Sequence, residues 1–198
     1  VMRSYAIPHF PLDDYITPQD VQGQRAYGEE GVERLASVQA LKLTTIRKSH
    51  AATLETARAK MITSGDIYAP NGTVVGNVYT DFGVTRKQVA MDLTNAATDI
   101  LGKQREIVDH IQDNIMSGET PSEIIALCSP SYFDAYISQA GVKEAYKFYT
   151  STQEPLRNGN WSQFRHGDIT LIRYNGKFKD ASGVSQALIP DGDAYYLP

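Results

Sequence analysis

The chain has 198 residues and 21.9 kDa, with 41% hydrophobic and 21% charged residues, a balance that fits a folded protein and excludes disorder and collagen-like structure. Its 19 Lys and Arg against 23 Asp and Glu give a net charge of -4 and a pI near 5.6, so there is no basic excess for wrapping nucleic acid. No run approaches the roughly 18 apolar residues of a membrane span and the start lacks a signal-peptide core; the single cysteine, Cys128, permits neither an internal disulfide nor a cysteine-based metal cluster, so a soluble chain in a reducing compartment is expected.

From Val1 to Gly28, Pro8, Pro11 and Pro18 are scattered among Ile7, Phe10, Leu12, Tyr15 and Ile16 with no sustained period, which predicts an extended arm. Proline bars the middle of a sheet, so these apolar side chains need loop packing or another chain to cover them. Between Val32 and Ser64 neither Gly nor Pro occurs, and Leu35, Val38, Ile46, Leu54, Ala57 and Met61 fall at helical spacing. A helix over residues 29–64 is predicted, opened by Glu29, Glu30 and Glu33 and closed by Lys60 and Gly65. Thr44, Thr45, Ser49 and His50 are weak formers in its middle and allow a break. At 1.5 Å per residue this helix is roughly 54 Å long, whereas a compact globule of this chain length is about 40 Å across. Either it breaks, or it belongs to a flat subunit that meets neighbours along its length.

Asn71-Gly72 between two apolar runs predicts a β-hairpin over residues 66–79, and Val89, Met91 and Leu93 alternate as a strand with one buried side. Thr94 or Asn95 caps a second helix carrying Ile100, Ile107, Ile111 and Ile115, which ends at Ser117-Gly118. Residues 124–128 form a short buried strand, and Ser129-Pro130 opens a third helix through Phe133, Tyr136 and Ile137. A helical stretch over 142–149, a polar loop over 154–167 around Trp161, and a strand over 169–174 turning at Asn175-Gly176 complete the chain. The second half thus reads as an α+β layer.

The candidates for chemistry are few. Cys128 with His110 or His166 has the composition of a nucleophile and base, but its apolar strand argues for a packed, inert thiol. His9, His50, His110 and His166 have no second ligand at metal-site spacing, and His50 falls close to the helix stripe, where packing explains it. Asp13-Asp14 and Asp191-Gly192-Asp193 lack the ligand spacing of a calcium loop and read as turns and caps. No phosphate loop and no G-x-S-x-G elbow occurs. Twelve tyrosines against six phenylalanines tilt the aromatic content toward rings that suit half-wet contacts.

Specific strings carry a resemblance. Ile7-Pro8-His9-Phe10 with Leu12-Asp13-Asp14, then Thr17-Pro18-Gln19-Asp20-Val21-Gln22-Gly23-Gln24-Arg25-Ala26-Tyr27-Gly28, resembles the arm of the lambda-like major capsid protein E family of tailed phages. The likeness continues in Arg47-Lys48-Ser49-His50-Ala51-Ala52-Thr53-Leu54-Glu55, in Ala126-Leu127-Cys128-Ser129-Pro130, in Val142-Lys143-Glu144-Ala145-Tyr146 and in Ile189-Pro190-Asp191-Gly192-Asp193-Ala194. These strings span nearly the whole chain in order.

The resemblance implies an α+β subunit of the Hong Kong 97-type capsid fold, a structural protein and not an enzyme. By position, residues 1–28 would be the extended arm, 29–93 a peripheral domain with the spine helix at 29–64 and the hairpin at 66–79, and 94–198 the axial domain. It implies no catalytic, cofactor-binding or metal residues; the expected subunit contacts are Ile7, Phe10, Leu12, Tyr15, Ile16 and Arg25. Implied partners are copies of the chain, in hexamers and pentamers of an icosahedral shell, with scaffolding, portal and decoration proteins. The shell would enclose DNA without sequence-specific binding and without a membrane, in the virion of a phage or prophage, after synthesis in the cytoplasm of a bacterial host. The family pattern also implies a piece lacking both ends, with an arm before Val1 and closing peripheral strands after Pro198. A rival expectation is an α+β ligand-binding domain or enzyme with a pocket near Asp191, Asp193 and His166; an assembly or decoration protein of the same virus is a third.

Overall fold

A computed structural model describes residues 8–20, 35–69, 72–115, 121, 123–149, 162–179 and 183–198. The chain divides into two compact units, Val1–Gly83 and Val84–Pro198.

In the first unit a 3-10 turn, Pro18–Asp20, precedes the long helix α1, Leu35–Thr63. Its 29 residues run without the break that the central Thr and Ser residues allowed, and they make a rod of about 43 Å. Thr44, Thr45, Thr53 and Thr56 each turn their hydroxyl back onto the carbonyl four residues earlier, which is how weak helix formers are absorbed. The predicted start at 29 lies outside the described residues. The apolar stripe is not buried as its spacing suggested: Thr63 is the one buried residue of α1, Leu35, Leu54 and Met61 are exposed, and so is His50. Among the described residues of its unit, no second layer faces the helix.

At its end Gly65 adopts φ 76, where a Cβ would run into the ring of Tyr79. The strands β1, Asp66–Tyr68, and β2, Val74–Asn77, form the predicted hairpin; Asn71 of its turn lies outside the described residues. Asn77 locks the hairpin to the helix end: its Nδ2 donates to the Ser64 carbonyl at 2.9 Å and to Asp66 Oδ1 at 2.7 Å. Its Oδ1 accepts from Thr80 N–H and so caps a short helix, α2, Val78–Phe82, which the sequence reading did not contain.

The second unit holds the core. Helix α3, Ile100–Asn114, is followed by β3, Ile124–Cys128; α4, Pro130–Ser138; α5, Ala140–Tyr149; β4, Gln163–His166; and β5, Ile169–Arg173. Then come β6, Lys177–Lys179, β7, Ser185–Ala187, and β8, Ala194–Leu197. One four-stranded sheet has the order β4-β5-β3-β8, with β3 parallel to β5 and the other neighbours antiparallel; β6 and β7 form a separate ribbon. Ile107 of α3 and Phe133 and Tyr136 of α4 join Ile124, Ala126, Cys128, Phe164, Ile169 and Leu171 of the sheet in one cluster.

Four expectations need correction. Residues 88–93 are not a strand: among the described residues no partner pairs with them, and Met91 is buried in the second unit's core with Val89 and Leu93 against it. The cap of α3 is Asp99, whose carboxylate accepts from Gly102 N–H at 2.9 Å. Asn95 instead caps a turn, accepting from Ala97 N–H, after Asp92 has redirected the chain at φ 44. The helix ends at Asn114 with Ile115 as C-cap, while 117–118 lie outside the described residues. The loop assigned to 154–167 contains β4 at its end, its hairpin turned by Gly167 at φ 62; Trp161 is outside the described residues.

Candidate assembly surfaces

Of the expected contact residues, Ile7 and Arg25 lie outside the described residues. Tyr15 is 79% and Leu12 46% exposed, Phe10 and Ile16 are half-buried, and all four stand in a stretch without regular secondary structure. That stretch is not free. Lys42 on α1 donates to the Tyr15 carbonyl at 2.6 Å and to Asp20 Oδ2 at 3.1 Å, and it reaches Asp14 Oδ1 at 3.5 Å. Asp20 also accepts from Thr17 N–H; that backbone bond first, and Lys42 second, hold its carboxyl below the usual range. The lysine ammonium is raised by the bond to Asp20. Sequence reasoning missed Lys42 because its partners lie 22 to 28 residues away, beyond any local pattern. The rest of α1 presents Leu35, Leu41, Leu43, Leu54 and Met61 to solvent, far more apolar surface than one isolated exposed leucine needs explained.

The rival pocket is not assembled. Asp191 and Asp193 line a groove of about 800 Å³ with residues 86–93, Ile107, Tyr132 and Tyr196, and His166 is not among its walls. Asp191 is taken up by Ser131, whose hydroxyl donates to it, and Ser129 and Ser131 both accept from Gly192 N–H at 3.0 Å. Ser129 also accepts from Tyr132 N–H at 3.3 Å, so the Asp-Gly turn and the α4 N-cap brace each other. This is the structural reading of Asp191-Gly192-Asp193 as a turn.

His166 instead completes a network inside the second unit. Gln104 Nε2 donates to the Tyr136 hydroxyl at 2.6 Å, and that hydroxyl stands 2.7 Å from His166 Nδ1. The hydroxyl, with one proton and two lone pairs, thus bridges the Gln104 amide and the His166 ring. Burial holds His166 below its ordinary value of 6.5. Burial also pushes the Cys128 thiol up to about 12, which keeps it protonated and unreactive at neutral pH. Tyr132 and Tyr196 share a hydrogen bond of 2.8 Å, and burial raises both phenols. These groups tie α3, α4 and the sheet together; Tyr132 and Tyr196 also line the groove beside Asp191 and Asp193, whereas Tyr136 and His166 are not among its walls. Among the described residues, no three of His, Cys, Asp or Glu gather as a metal site, and no helix is long and apolar enough to cross a membrane.

Comparison with known proteins gives a consistent result. The family model described as phage major capsid protein E matches residues 1–198. The chain is 39% identical over 210 residues to the major capsid protein of Pseudomonas phage KPP10, a match that covers all of this chain and 60% of that protein. It is 27% identical over 205 residues to the major capsid protein of Salmonella phage Felix O1 (isolate Felix O1-VT1), covering 94% of this chain and 55% of that one. The chain therefore spans about 60% of the length of the first of these relatives.

Proposed function

Because this chain belongs to the phage major capsid protein E family, we propose that it is the head subunit of a tailed phage or prophage and self-assembles into an icosahedral shell around the DNA genome. The observation that carries the reading is α1: 29 residues with one buried member, a rod of about 43 Å whose leucines face solvent. Such a helix needs cover from outside its own unit, and repeated modest contacts between copies supply it, with the stability held by the lattice.

The Hong Kong 97-type fold is part of the same proposal. In it the arm is residues 1–28, the spine helix and hairpin lie within the peripheral domain of 29–93, and 94–198 form the axial domain; a division of the chain into two compact units, at Gly83, supports a two-domain organisation. Copies of the chain in hexamers and pentamers are the main partners, with scaffolding, portal and decoration proteins added, and DNA held without sequence readout. The virion is its place, after synthesis in the host cytoplasm.

The arm contacts are tested in the full-length gene product. Deletion of residues 7–16, or Arg25→Glu, is expected to abolish particles in thin-section or negative-stain images while the circular dichroism melt stays cooperative. Particle yields equal to wild type in both variants would remove the arm from the mechanism.

A further inference from the structure

Charge is unevenly shared along this acidic chain. Helix α1 carries Lys42, Arg47, Lys48, Arg58 and Lys60 against the single Glu55, a net of +4; the chain as a whole is at -4, so the residues outside α1 carry -8. On α1, Leu43, Arg47, His50, Leu54, Arg58 and Met61 fall, at 100° per residue, within an arc of about 80°. All six are exposed, and neither Arg47 nor Arg58 makes an ion pair among the described residues. One face of the helix is therefore an apolar stripe studded with free guanidinium groups. Guanidinium groups are the cations best suited to pairing with carboxylates at an interface.

The complementary surface is on α3. Its C-terminal half, residues 106–114, holds Glu106, Asp109 and Asp113 and no Lys or Arg. Glu106 is engaged by Lys87 at 3.0 Å and Lys103 at 3.8 Å. Asp109 and Asp113, one helical turn apart, are exposed and make no ion pair among the described residues. We infer that the Arg47–Arg58 face of α1 docks on the Asp109–Asp113 face of α3 in a second copy of this chain. The inference rests on the self-assembly reading and supplies it with a polarity: the basic face of one copy meets the acidic face of the next, a head-to-tail contact that leaves each copy with one unused face of either sign. Contacts of this kind propagate, and they close into rings when the rotation between copies allows.

The test is sedimentation velocity of the full chain over a concentration series at low and high salt. Arg47→Glu/Arg58→Glu and Asp109→Lys/Asp113→Lys are each expected to weaken association about tenfold or more, and salt is expected to weaken the wild type in the same direction. All four residues are exposed, so melting temperatures should hold, and they report any failure to fold. An equimolar mixture of the two variants is expected to regain association, because each reversed face then finds an opposite on the other chain. Wild-type association with both variants unchanged, or a mixture that stays dissociated, overturns the inference and leaves the shell reading intact. A wild type that is monomeric at every concentration overturns both. A monomer that binds duplex DNA through Arg47 and Arg58 also overturns it, with nucleic acid as the occupant of the face.

Discussion

Tyr136→Phe removes a single oxygen from the best-buried point of the second unit. Tyr136 is fully buried, and its hydroxyl holds the bonds of 2.6 Å from Gln104 and 2.7 Å to His166. The ring, its stacking on Tyr132 and its edge contact with Phe164 are retained, so no cavity term enters. What is lost is one donor and one acceptor left facing each other without the oxygen between them. Gln104 keeps a weaker outlet in the His166 carbonyl at 3.4 Å, which relieves its side of the loss. An unsatisfied buried polar group costs about 1–3 kcal/mol, and about 2 kcal/mol is expected here. For a unit of this size that lowers the melting temperature by roughly 8 °C. Differential scanning calorimetry at pH 8, with His166 neutral in both variants, measures it. A shift under about 2 °C would show that the network is not a structural tie.

The same network sets a pH dependence. Above its ordinary value of 6.5 His166 is neutral in folded and unfolded chains alike; as pH falls the unfolded chain takes the proton first, because burial depresses the folded value. Stability is therefore complete above 6.5 and declines below it until the folded value is passed, and His166→Gln should flatten that part of a melting-temperature profile between pH 7 and 5. Ser129→Ala removes the cap of α4 and the acceptor of Gly192 N–H; a loss of about 1–2 kcal/mol in urea unfolding is expected, and an unchanged midpoint would contradict the brace. Lys42→Met unties the arm, so amide exchange at Thr17 and Asp20 should quicken while that of residues 124–128 is unaltered; protection unchanged at both would place the hold elsewhere.

What was legible in the sequence was local. Residues 124–128 and the Ser129-Pro130 start carry their signals within a few positions, and the structure puts β3 and α4 there. The hairpin at Gly72 was legible for the same reason. Strands β4 and β8 were not, because four residues such as Gln-Phe-Arg-His or Ala-Tyr-Tyr-Leu become strands only through register with β5 and β3. Residues 88–93 erred the other way: their alternation was real, but packing against a core produces it without a ladder. Asp99 outcompeted Asn95 because its carboxylate reaches a free N–H, that of Gly102, in the first turn of an uninterrupted run. The lysine that holds the arm, and the separation of His166 from Asp191 and Asp193, depend on contacts far apart in sequence, where single-chain patterns are silent.

The proposed role is a closed shell built from copies of this chain. Cryo-electron microscopy of particles formed by the full-length gene product tests it most directly. Closed icosahedral particles are expected, in which the segment spanning residues 35–63 is a continuous helix whose 43–61 face meets a neighbouring subunit. Discrete monomers would contradict the shell, and closed particles in which that face is open to solvent would remove α1 as its contact while leaving the shell.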